Sequence, residues 1–379
     1  MKIKYILHHP IVYQSPLLKY LTKKKIDIEV LFRSSLSTGK YFDNKLNRKI
    51  KWDINLLRGF KYKFLKYIGP NRKDKFYPIT TEFIKKIFDN ETNIIWIHGI
   101  KDWYNLSIIF LAKFYKKKVF VRDEVSVSSK KRSVLNNFLN FLFYNFIDNF
   151  IDIYLAIGTR NKNYYIKNKI KKEKIVLVPY VVDNNFFYLK KKLKIKKKIT
   201  YIFVGKLIKE KGCDLLLQSI NLLSKYPKFM SSSEFIVAGD GYLKKNLIEY
   251  TKENNLTNIK FLGFQNQKML KKLYQKSDVL ILPSNREPWG LVVNEAMAAE
   301  NAIICSNIVG SSADLIRENF NGYTFKNNNH NDLANKIYKI YRNKKNLNKF
   351  KLSSKKIISK WNFEMCYYGL KKGIDKLSI

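Results

Sequence analysis

Short runs of β-branched and aromatic residues alternate with longer amphipathic stretches along the whole chain of 379 residues. In the first half, these runs predict strands at 3–8, 27–32, 93–98, 118–123, 152–157 and 174–179. The same rhythm restarts in the second half and predicts strands at 199–205, 234–241, 259–263, 278–284 and 302–306. Because strands that alternate with helical stretches are typical of βα units and parallel sheets, the pattern predicts an α/β fold.

The length exceeds what one hydrophobic core usually organises, so two domains are expected. Residues 1–187 form the predicted N-terminal Rossmann-like domain and residues 201–358 the predicted C-terminal one. The highly charged segment 188–200 has no clear period and is interpreted as a linker, although a nucleic-acid-binding tract is an alternative. In doubly wound sheets, ligands bind outside the carboxyl ends of the strands, so the loops that follow the strands are expected to carry the site.

The chain has 73 Lys and Arg residues and 30 Asp and Glu residues, which give a formal net charge of +43. Only 10 of the basic residues are Arg. A basic surface attracts phosphate groups and acidic lipids, but a Lys-rich, Asn-rich and Ile-rich composition is also what an AT-rich coding sequence favours. Both explanations stay open. Because recognition of bases and phosphates favours the planar guanidinium of Arg, nucleic acid is not expected as a partner.

The remaining composition indicates an intracellular protein. The cysteines lie far apart in sequence, which predicts no disulfide framework and fits a reducing cytoplasm, and the motif HHP at 8–10 interrupts the apolar core that a signal peptide needs. No run of 18 uncharged apolar residues predicts a spanning helix. The stretch 131–150 is rich in Phe and Leu on more than one face, which predicts a buried helix. The basic and aromatic stretch 58–76 fits either a membrane surface or a solvated face.

Two glycine-containing loops follow predicted strands of the second half. The motif VGKLIKEKGCD provides Gly205 next to Lys206 and Lys211, and two cations with flanking glycines suit a diphosphate group. The motif AGDG provides Gly239 in a turn before a helix. An ordinary strand-to-helix loop in a Lys-rich protein is the alternative for each motif taken alone.

The stretch REPWGLVVNEAMAAE, at 286–300, holds a carboxylate before a predicted helix and another within it. Pro288 and Gly290 end the preceding strand, and the free N–H groups at the helix start would bind an anion or a sugar hydroxyl. The eight residues from Glu287 to Glu295 rise about 12 Å along a helix. The two acids are therefore expected to anchor two parts of one long ligand.

These motifs, together with IKFLGF and IVGSSADLI followed by NGYTF, resemble the GT-B retaining glycosyltransferases of family 4. The resemblance spans most of residues 175–326 and implies two Rossmann-like domains facing each other across a cleft. It also implies that segment 359–379 is a closing helix that crosses back to the N-terminal domain. In the first half, only the rhythm of strands and helices is similar to the family.

Carried over to this sequence, the resemblance implies a nucleotide-sugar donor, UDP- or GDP-linked, with no cofactor and no metal. Glu295 would bind the ribose hydroxyls and Glu287 the donor sugar, while Lys206 and Lys211 would neutralise the leaving diphosphate. The leaving phosphate would take the proton of the attacking hydroxyl, with retention at the anomeric carbon. The other donor-binding positions implied are Gly205, Gly239, Trp289, Gly290, Leu291 and Val292.

The first half departs from the family pattern, since HHPIVYQSPLL at 8–18 replaces a Gly-rich loop. The acceptor-side candidates are His98, Arg122, Asp123 and Glu124, which lie at or just after the carboxyl ends of predicted strands. The acceptor is expected to be a glycan or a lipid-linked molecule used in surface polysaccharide synthesis, with the enzyme in the cytoplasm or at the inner face of the membrane, in peripheral contact with anionic lipid. The alternatives are a polyanion-binding protein with a Rossmann-like fold and a non-catalytic relative that binds sugar nucleotides.

Overall fold

The computed structural model describes residues 1–44, 46, 48–65, 81–125, 133–188 and 198–377. Its strands are β1 (Lys2–Leu7), β2 (Ile28–Phe32), β3 (Tyr41–Asp43), β4 (Arg48–Ile50), β5 (Lys61–Phe64), β6 (Thr92–His98), β7 (Lys118–Arg122), β8 (Ile153–Ala156), β9 (Ile175–Leu177), β10 (Ile199–Val204), β11 (Ser233–Ala238), β12 (Ile259–Gly263), β13 (Val279–Leu282), β14 (Ala302–Ser306) and β15 (Gly322–Phe325).

The α-helices are α1 (Gln14–Lys23), α2 (Thr81–Ile87), α3 (Trp103–Phe114), α4 (Val134–Ile147), α5 (Thr159–Lys167), α6 (Asn184–Phe187), α7 (Cys213–Leu223), α8 (Pro227–Ser231), α9 (Lys244–Glu253), α10 (Gln267–Lys276), α11 (Leu291–Ala298), α12 (Ser312–Leu315), α13 (His330–Arg342), α14 (Leu347–Ile358) and α15 (Phe363–Asp375). Among these helices, none is long and apolar enough to cross a membrane.

The chain divides into two compact units, each with its own core. The first unit comprises residues 1–41, 54–181 and 363–379, and the second comprises 42–53 and 182–362. The short segment 42–53, which contains most of β3 and all of β4, thus packs with the second unit although it lies early in the chain. Its contacts include the ring of Trp52 against Phe264, with centroids 6.0 Å apart, and the Asp53 carboxylate, which accepts from the Lys268 N–H at 3.0 Å.

The first unit is built on a seven-stranded sheet in the order β5-β2-β1-β6-β7-β8-β9. Every pairing in it is parallel. The central strands are buried along almost their whole length, as expected for a sheet covered by helices on both faces. Because the strand order reverses between β1 and β6, the loops after these two strands meet at a topological switch point.

The second unit is built on a six-stranded parallel sheet in the order β12-β11-β10-β13-β14-β15. This is the doubly wound order in which the first and fourth strands are neighbours. β10 is fully buried, and its aromatic residues Tyr201 and Phe203 pack in a core with residues of α7 and α13. The switch point lies between β10 and β13, so the loops after these strands lie side by side.

The α/β class predicted from the sequence is confirmed, and a strand is present at each of the eleven predicted positions. The predicted linker at 188–200 falls mainly on residues 189–197, which lie outside the described part of the chain, as do residues 66–76 of the basic and aromatic stretch. The cysteines Cys213, Cys305 and Cys366 are all buried.

The prediction that the Phe- and Leu-rich stretch 131–150 forms a buried helix is wrong. Helix α4 forms there, with Ser133 as its N-cap accepting from the Asn136 N–H, but only Tyr144 and Ile147 of the helix are buried. Its large apolar side chains are mostly exposed, and Val134 is 86% exposed. Composition alone suggested burial, because it does not reveal which faces of a helix a neighbouring element covers.

The last helix, α15, packs on the first unit. Gly369 lies so close to the carbonyl of Leu177 that a Cβ at this position would be 2.1 Å from that oxygen. The Cys366 thiol donates to the Pro179 carbonyl at 3.1 Å, and burial raises the pKa of this thiol to about 12. The helix therefore covers the end of β9 with small side chains that allow close backbone contact.

Candidate functional site

The loops after β10, β11 and β13 are held together at the carboxyl edge of the second sheet. The Leu207 N–H donates to the Asp240 carbonyl at 2.8 Å, which joins the first two loops. The Asn285 N–H donates to the Glu210 carbonyl at 3.0 Å, which joins the loop after β13 to the loop after β10. The structure therefore brings together the three loops in which the sequence predicts the donor site.

Glycines allow this close approach. A Cβ on Gly239 would lie 1.8 Å from the Gly205 carbonyl oxygen, so the loop after β11 leaves no room for a side chain at that point. Gly212 has a φ of +66° and would place a Cβ 2.3 Å from the Pro283 carbonyl oxygen. The first contact brings together the backbones of the loops after β10 and β11, and the second brings together those of the loops after β10 and β13.

Lys206 and Lys211, two of the three lysines of the β10 loop, are paired with acids. Lys211 donates to Oε2 of Glu287, which joins the β10 loop to the loop after β13. Lys206 donates to Asp43 on β3, with Nζ 2.8 and 3.1 Å from the two carboxylate oxygens. All four side chains are partly exposed, between 12% and 34%. Each lysine therefore already holds a negatively charged group in a position that solvent reaches.

Helix α11 begins beside these ion pairs. Gly290 is its N-cap, with a φ of +91° that disfavours residues with a side chain, and it follows the buried Trp289. The Trp289 indole donates to Oδ1 of Asn294 at 2.9 Å, which fixes the approach to the helix. Leu291 and Val292 are partly exposed and lie in the first turn, where N–H groups have no partner within a helix.

Glu295 lies on α11 and is only 8% exposed. The Tyr274 hydroxyl, from α10, donates to its Oε2 at 2.8 Å. Burial raises the pKa of Glu295 to about 7, although the hydrogen bonds from Tyr274 and Gln267 lower it in part. The carboxyl group therefore changes its charge near neutral pH.

The first unit has its own polar cluster at the switch point between β1 and β6. His98, at the end of β6, pairs through Nδ1 with the Tyr5 hydroxyl at 3.0 Å and through Nε2 with the Tyr180 hydroxyl at 3.2 Å. Tyr180 donates to Oε1 of Glu124 at 2.6 Å, and Tyr13 donates to the same oxygen at 3.2 Å. We call these five residues the tyrosine cluster.

Glu124 is the exposed member of the tyrosine cluster, with 45% of its side chain accessible. Desolvation raises its pKa, but hydrogen bonds from His98, Tyr180 and Tyr13 and the charge of His98 outweigh that effect and lower the pKa to about 2. Glu124 is therefore a carboxylate at neutral pH, able to accept a hydrogen bond from a hydroxyl group but weak as a proton acceptor.

The other two acceptor-side candidates are less accessible. Arg122 is buried, donates to the carbonyls of Val178 and Pro179 at 2.9 and 2.7 Å, and lies 4.5 Å from the centroid of the Tyr180 ring. Asp123 accepts from the Tyr144 hydroxyl at 3.4 Å, and burial raises its pKa. The structure thus places His98 and Glu124 together, and it buries Arg122 against the ring of Tyr180.

Sequence reasoning missed several residues that the structure adds to the site. Asp43 is distant in sequence from Lys206, and Tyr274 lies on a helix that shows no motif. Gly310 would place a Cβ 1.8 Å from the Pro288 carbonyl, and its own N–H donates to the Glu287 carbonyl at 3.0 Å. Only Gly310 had a signal, because it lies in the motif IVGSSADLI.

Within the described part of the chain, no group of three or more His, Cys, Asp or Glu residues is arranged to hold a metal ion. That the protein works without a metal or another cofactor stays a prediction.

Comparison with known proteins finds a family model that matches most of the second unit. The family model of the glycosyl transferases group 1 matches residues 185–357, a range that includes Lys206, Lys211, Glu287 and Glu295. An uncharacterized glycosyltransferase of Methanocaldococcus jannaschii is 29% identical over 177 residues, 47% of this chain and 48% of that relative. The chain therefore spans about half the length of this relative.

A second relative matches more of the chain. The Campylobacter jejuni GalNAc-alpha-(1->4)-GalNAc-alpha-(1->3)-diNAcBac-PP-undecaprenol alpha-1,4-N-acetyl-D-galactosaminyltransferase is 26% identical over 278 residues, which is 73% of this chain and 71% of that protein. The match extends beyond the second unit, since 278 residues exceed the length of residues 182–362.

The fold is similar to that of solved structures. The crystal structure of Anabaena HepE in complex with UDP has a TM-score of 0.75 to this chain, covers 99% of it and is itself covered completely, at 14% sequence identity. The GT-B fold predicted from the sequence is confirmed by this likeness.

Proposed function

We propose that the chain is a retaining glycosyltransferase of family 4 that uses a nucleotide sugar, since the family model of the glycosyl transferases group 1 matches its residues 185–357. The observation that carries the proposal is the pairing of Lys211 with Glu287 at the switch point of the second sheet. Such a site matches the chemistry of a sugar diphosphate: a cation for the phosphates and a carboxylate for the sugar hydroxyls. Anabaena HepE, whose structure holds UDP, supports a nucleotide donor.

In this proposal, the donor occupies the carboxyl edge of the second sheet. Glu295 accepts hydrogen bonds from the ribose hydroxyls, and its burial next to Tyr274 makes that contact selective for a polar partner. Glu287 binds hydroxyls of the donor sugar. The N–H groups of Gly290, Leu291 and Val292 approach the diphosphate, where the start of a helix favours negative charge.

Lys206 and Lys211 stabilise the leaving diphosphate, a charge that develops as the bond to the anomeric carbon breaks. The acceptor oxygen forms its bond to the same carbon on the same face, and the proton of the acceptor hydroxyl passes to a phosphate oxygen of the leaving group. No residue of the chain is needed as a nucleophile. Because Gly205 and Gly239 carry no side chains, the phosphates approach the backbone of the two loops closely.

In our proposal, the tyrosine cluster of the first unit binds the acceptor. Glu124 is exposed and charged, so it accepts a hydrogen bond from a sugar hydroxyl, while Tyr180 and His98 fix its position. Arg122 and Asp123 then act as positioning residues. The Campylobacter relative is named as a transferase for a glycan linked to PP-undecaprenol. This name supports a lipid-linked acceptor for the present chain. It also supports a role in surface-polysaccharide synthesis and a location at the inner face of the membrane.

Calorimetry with UDP-, GDP- and ADP-glucose tests the donor site. We expect one nucleotide to bind, and we expect Glu295→Ala to weaken that binding at least tenfold because the ribose contacts are lost. Glu249→Ala, which removes an exposed acid of α9, is the matched control and keeps the affinity. Binding of none of the three, with tight salt-sensitive binding of RNA instead, would favour a polyanion-binding protein.

A kinetic assay then separates the acceptor side from the donor side. Tyr180→Phe removes the hydroxyl that joins His98 to Glu124, and we expect slower transfer with an unchanged dissociation constant for the donor. Tyr164→Phe, a tyrosine of α5 outside the cluster, is the control. Equal transfer rates in wild type and Tyr180→Phe would contradict the acceptor role, and donor binding without any transfer would favour a non-catalytic relative.

A further inference from the structure

Helix α4 exposes its apolar side. At about 100° per residue, its six exposed large apolar residues fall within an arc of about 140°, and they are Val134, Leu135, Phe138, Leu139, Leu142 and Phe146. The buried residues Tyr144 and Ile147 lie on the opposite side of the helix. This is the reverse of a water-facing helix of a globular protein, which points its polar side outward.

The neighbouring helix α3 extends this surface. Phe110 and Phe114 are exposed on it, the latter by 78%. The ring centroid of Phe110 lies 6.2 Å from that of Phe146 and 4.8 Å from that of Phe150, so the two helices share one aromatic cluster. We call the exposed residues of α4 with Phe110 and Phe114 the apolar face. Scattered exposed apolar residues are ordinary, but a contiguous set of this size indicates a binding surface.

The charged residues around the apolar face are mostly basic, and the two acids that follow α4 are paired: Asp148 with Lys174, and Asp152 with Lys113 and Lys118. Helix α4 contains no charged residue, and the sequence has no Asp or Glu from 125 to 147. Lys130, Lys131 and Arg132 immediately precede the helix in sequence, and the exposed Lys116 and Lys118 follow α3. An apolar helix face with flanking Lys and Arg is the arrangement that lies in the interface of a bilayer containing anionic lipid.

The charge of the chain decides between a membrane and a second copy as the occupant. Two copies that joined through this face would bring together two basic rims on molecules that each carry +43, and like charges disfavour such contact. An anionic bilayer receives the same charges favourably. Because no described helix is long and apolar enough to span a membrane, α4 would lie parallel to the surface.

We propose that the apolar face docks the protein on an anionic phospholipid bilayer, with α4 in the headgroup layer. The inference rests on the proposed function only in its choice of a membrane-associated acceptor, and it assigns the membrane contact to α3 and α4 and not to the basic stretch 58–76. The apolar side chains insert into the bilayer, and the lysines make the protein prefer membranes that contain acidic lipids.

Vesicle co-sedimentation of the full chain tests this proposal. We expect binding to vesicles of phosphatidylcholine with phosphatidylglycerol, much weaker binding to phosphatidylcholine alone, and a loss of binding as salt rises. The triple variant Leu135→Ser, Leu139→Ser, Leu142→Ser should bind at least tenfold more weakly. The matched control is Leu222→Ser, Leu262→Ser, Leu352→Ser, which removes three exposed leucines of the second unit and keeps vesicle binding.

Two further measurements make the outcome decisive. Nucleotide-sugar calorimetry on both triple variants reports on the donor site, so retained donor binding with lost vesicle binding supports the inference. In Phe138→Trp, quenching by brominated lipids reports whether α4 enters the bilayer. Equal vesicle binding by wild type and the α4 variant, absence of quenching, or a dimer that only the α4 variant loses, would each overturn the proposal while leaving the proposed function standing.

Discussion

Lys206 Nζ lies 2.8 and 3.1 Å from the two carboxylate oxygens of Asp43. Asp43 belongs to the short segment 42–53 that packs with the second unit although the rest of the early chain forms the first. The Asp43 carboxylate thus forms an ion pair with Lys206, the lysine that we propose binds the leaving diphosphate. The donor and Asp43 would compete for the same cation.

Replacing Asp43 tests this competition. Asp43→Asn removes the charge that Lys206 holds, and since a partly exposed ion pair contributes at most about 1 kcal/mol, we expect donor affinity to rise about two- to fivefold. Calorimetry with the bound nucleotide sugar measures the change. Asp53→Asn, in the same segment but bonded to the Lys268 N–H, is the control that keeps wild-type affinity. In a Lys206→Met background, the Asp43 effect should vanish, and its persistence there would argue against the competition.

Donor affinity should depend on pH through Glu295, whose pKa is raised to about 7 by burial. The carboxylate accepts hydrogen bonds from two ribose hydroxyls, whereas the protonated form offers a donor in place of one acceptor. If only the carboxylate binds, affinity rises about tenfold from pH 6 to pH 8. A nucleotide sugar suits this measurement because its diphosphate diester does not titrate in the range. Glu295→Gln should bind weakly with no dependence on pH, and a wild-type slope in that variant would contradict the assignment.

The same group affects folding stability with the opposite sign. Its ordinary pKa is 4.5, so between pH 4.5 and 7 the folded protein binds more protons than the unfolded chain, and the free energy of unfolding falls as pH rises. The loss is about 3 kcal/mol at most. Denaturant unfolding at several pH values, wild type against Glu295→Gln, measures it. A flat difference between the two proteins across this range would mean that the buried carboxyl group titrates normally.

Gly239 should tolerate no side chain. In Gly239→Ala the added Cβ would lie 1.8 Å from the Gly205 carbonyl oxygen, so the loops after β10 and β11 must separate. We expect an unfolding free energy lower by about 2 kcal/mol or more and a loss of donor binding. Gly39→Ala is the control, because no atom lies within 4 Å of a Cβ at that position. Wild-type donor binding by Gly239→Ala would show that the close approach is not needed for the site.

The fold was largely predictable because buried parallel strands form unbroken apolar runs. The strands that the sequence did not predict are β3, β4, β5 and β15, each of three or four residues. β5 is a mostly exposed edge strand with the sequence KYKF. Because it contains two lysines and no run of apolar residues, its sequence does not indicate a buried strand. Short edge strands carry too few buried positions for periodicity to detect them.

The candidate site was predictable where it depends on one local motif, and not where it depends on contacts between distant residues. The sequence predicted Gly205, Lys211, Glu287 and Glu295 as site residues because each lies in a loop or helix that follows a buried strand. The partners Asp43 and Tyr180 were not found, since nothing in their local sequence distinguishes them from ordinary surface or core residues. The exposed side of α4 was predicted wrongly for a related reason: burial depends on which neighbours cover a helix.

Arg122 provides a last prediction, in which stability and acceptor binding are linked. Its guanidinium donates to the carbonyls of Val178 and Pro179 and stacks on Tyr180. In Arg122→Met, two buried carbonyls lose their charged donor, which costs about 3 kcal/mol, and the support beneath Tyr180 is lost. The Val178 and Tyr180 amides, which donate to Ala156 and Ile157, should then exchange hydrogen faster. Arg317→Met, an exposed arginine, is the control. Unchanged exchange at both amides, or transfer at the wild-type rate with faster exchange, would show that Arg122 does not position the tyrosine cluster.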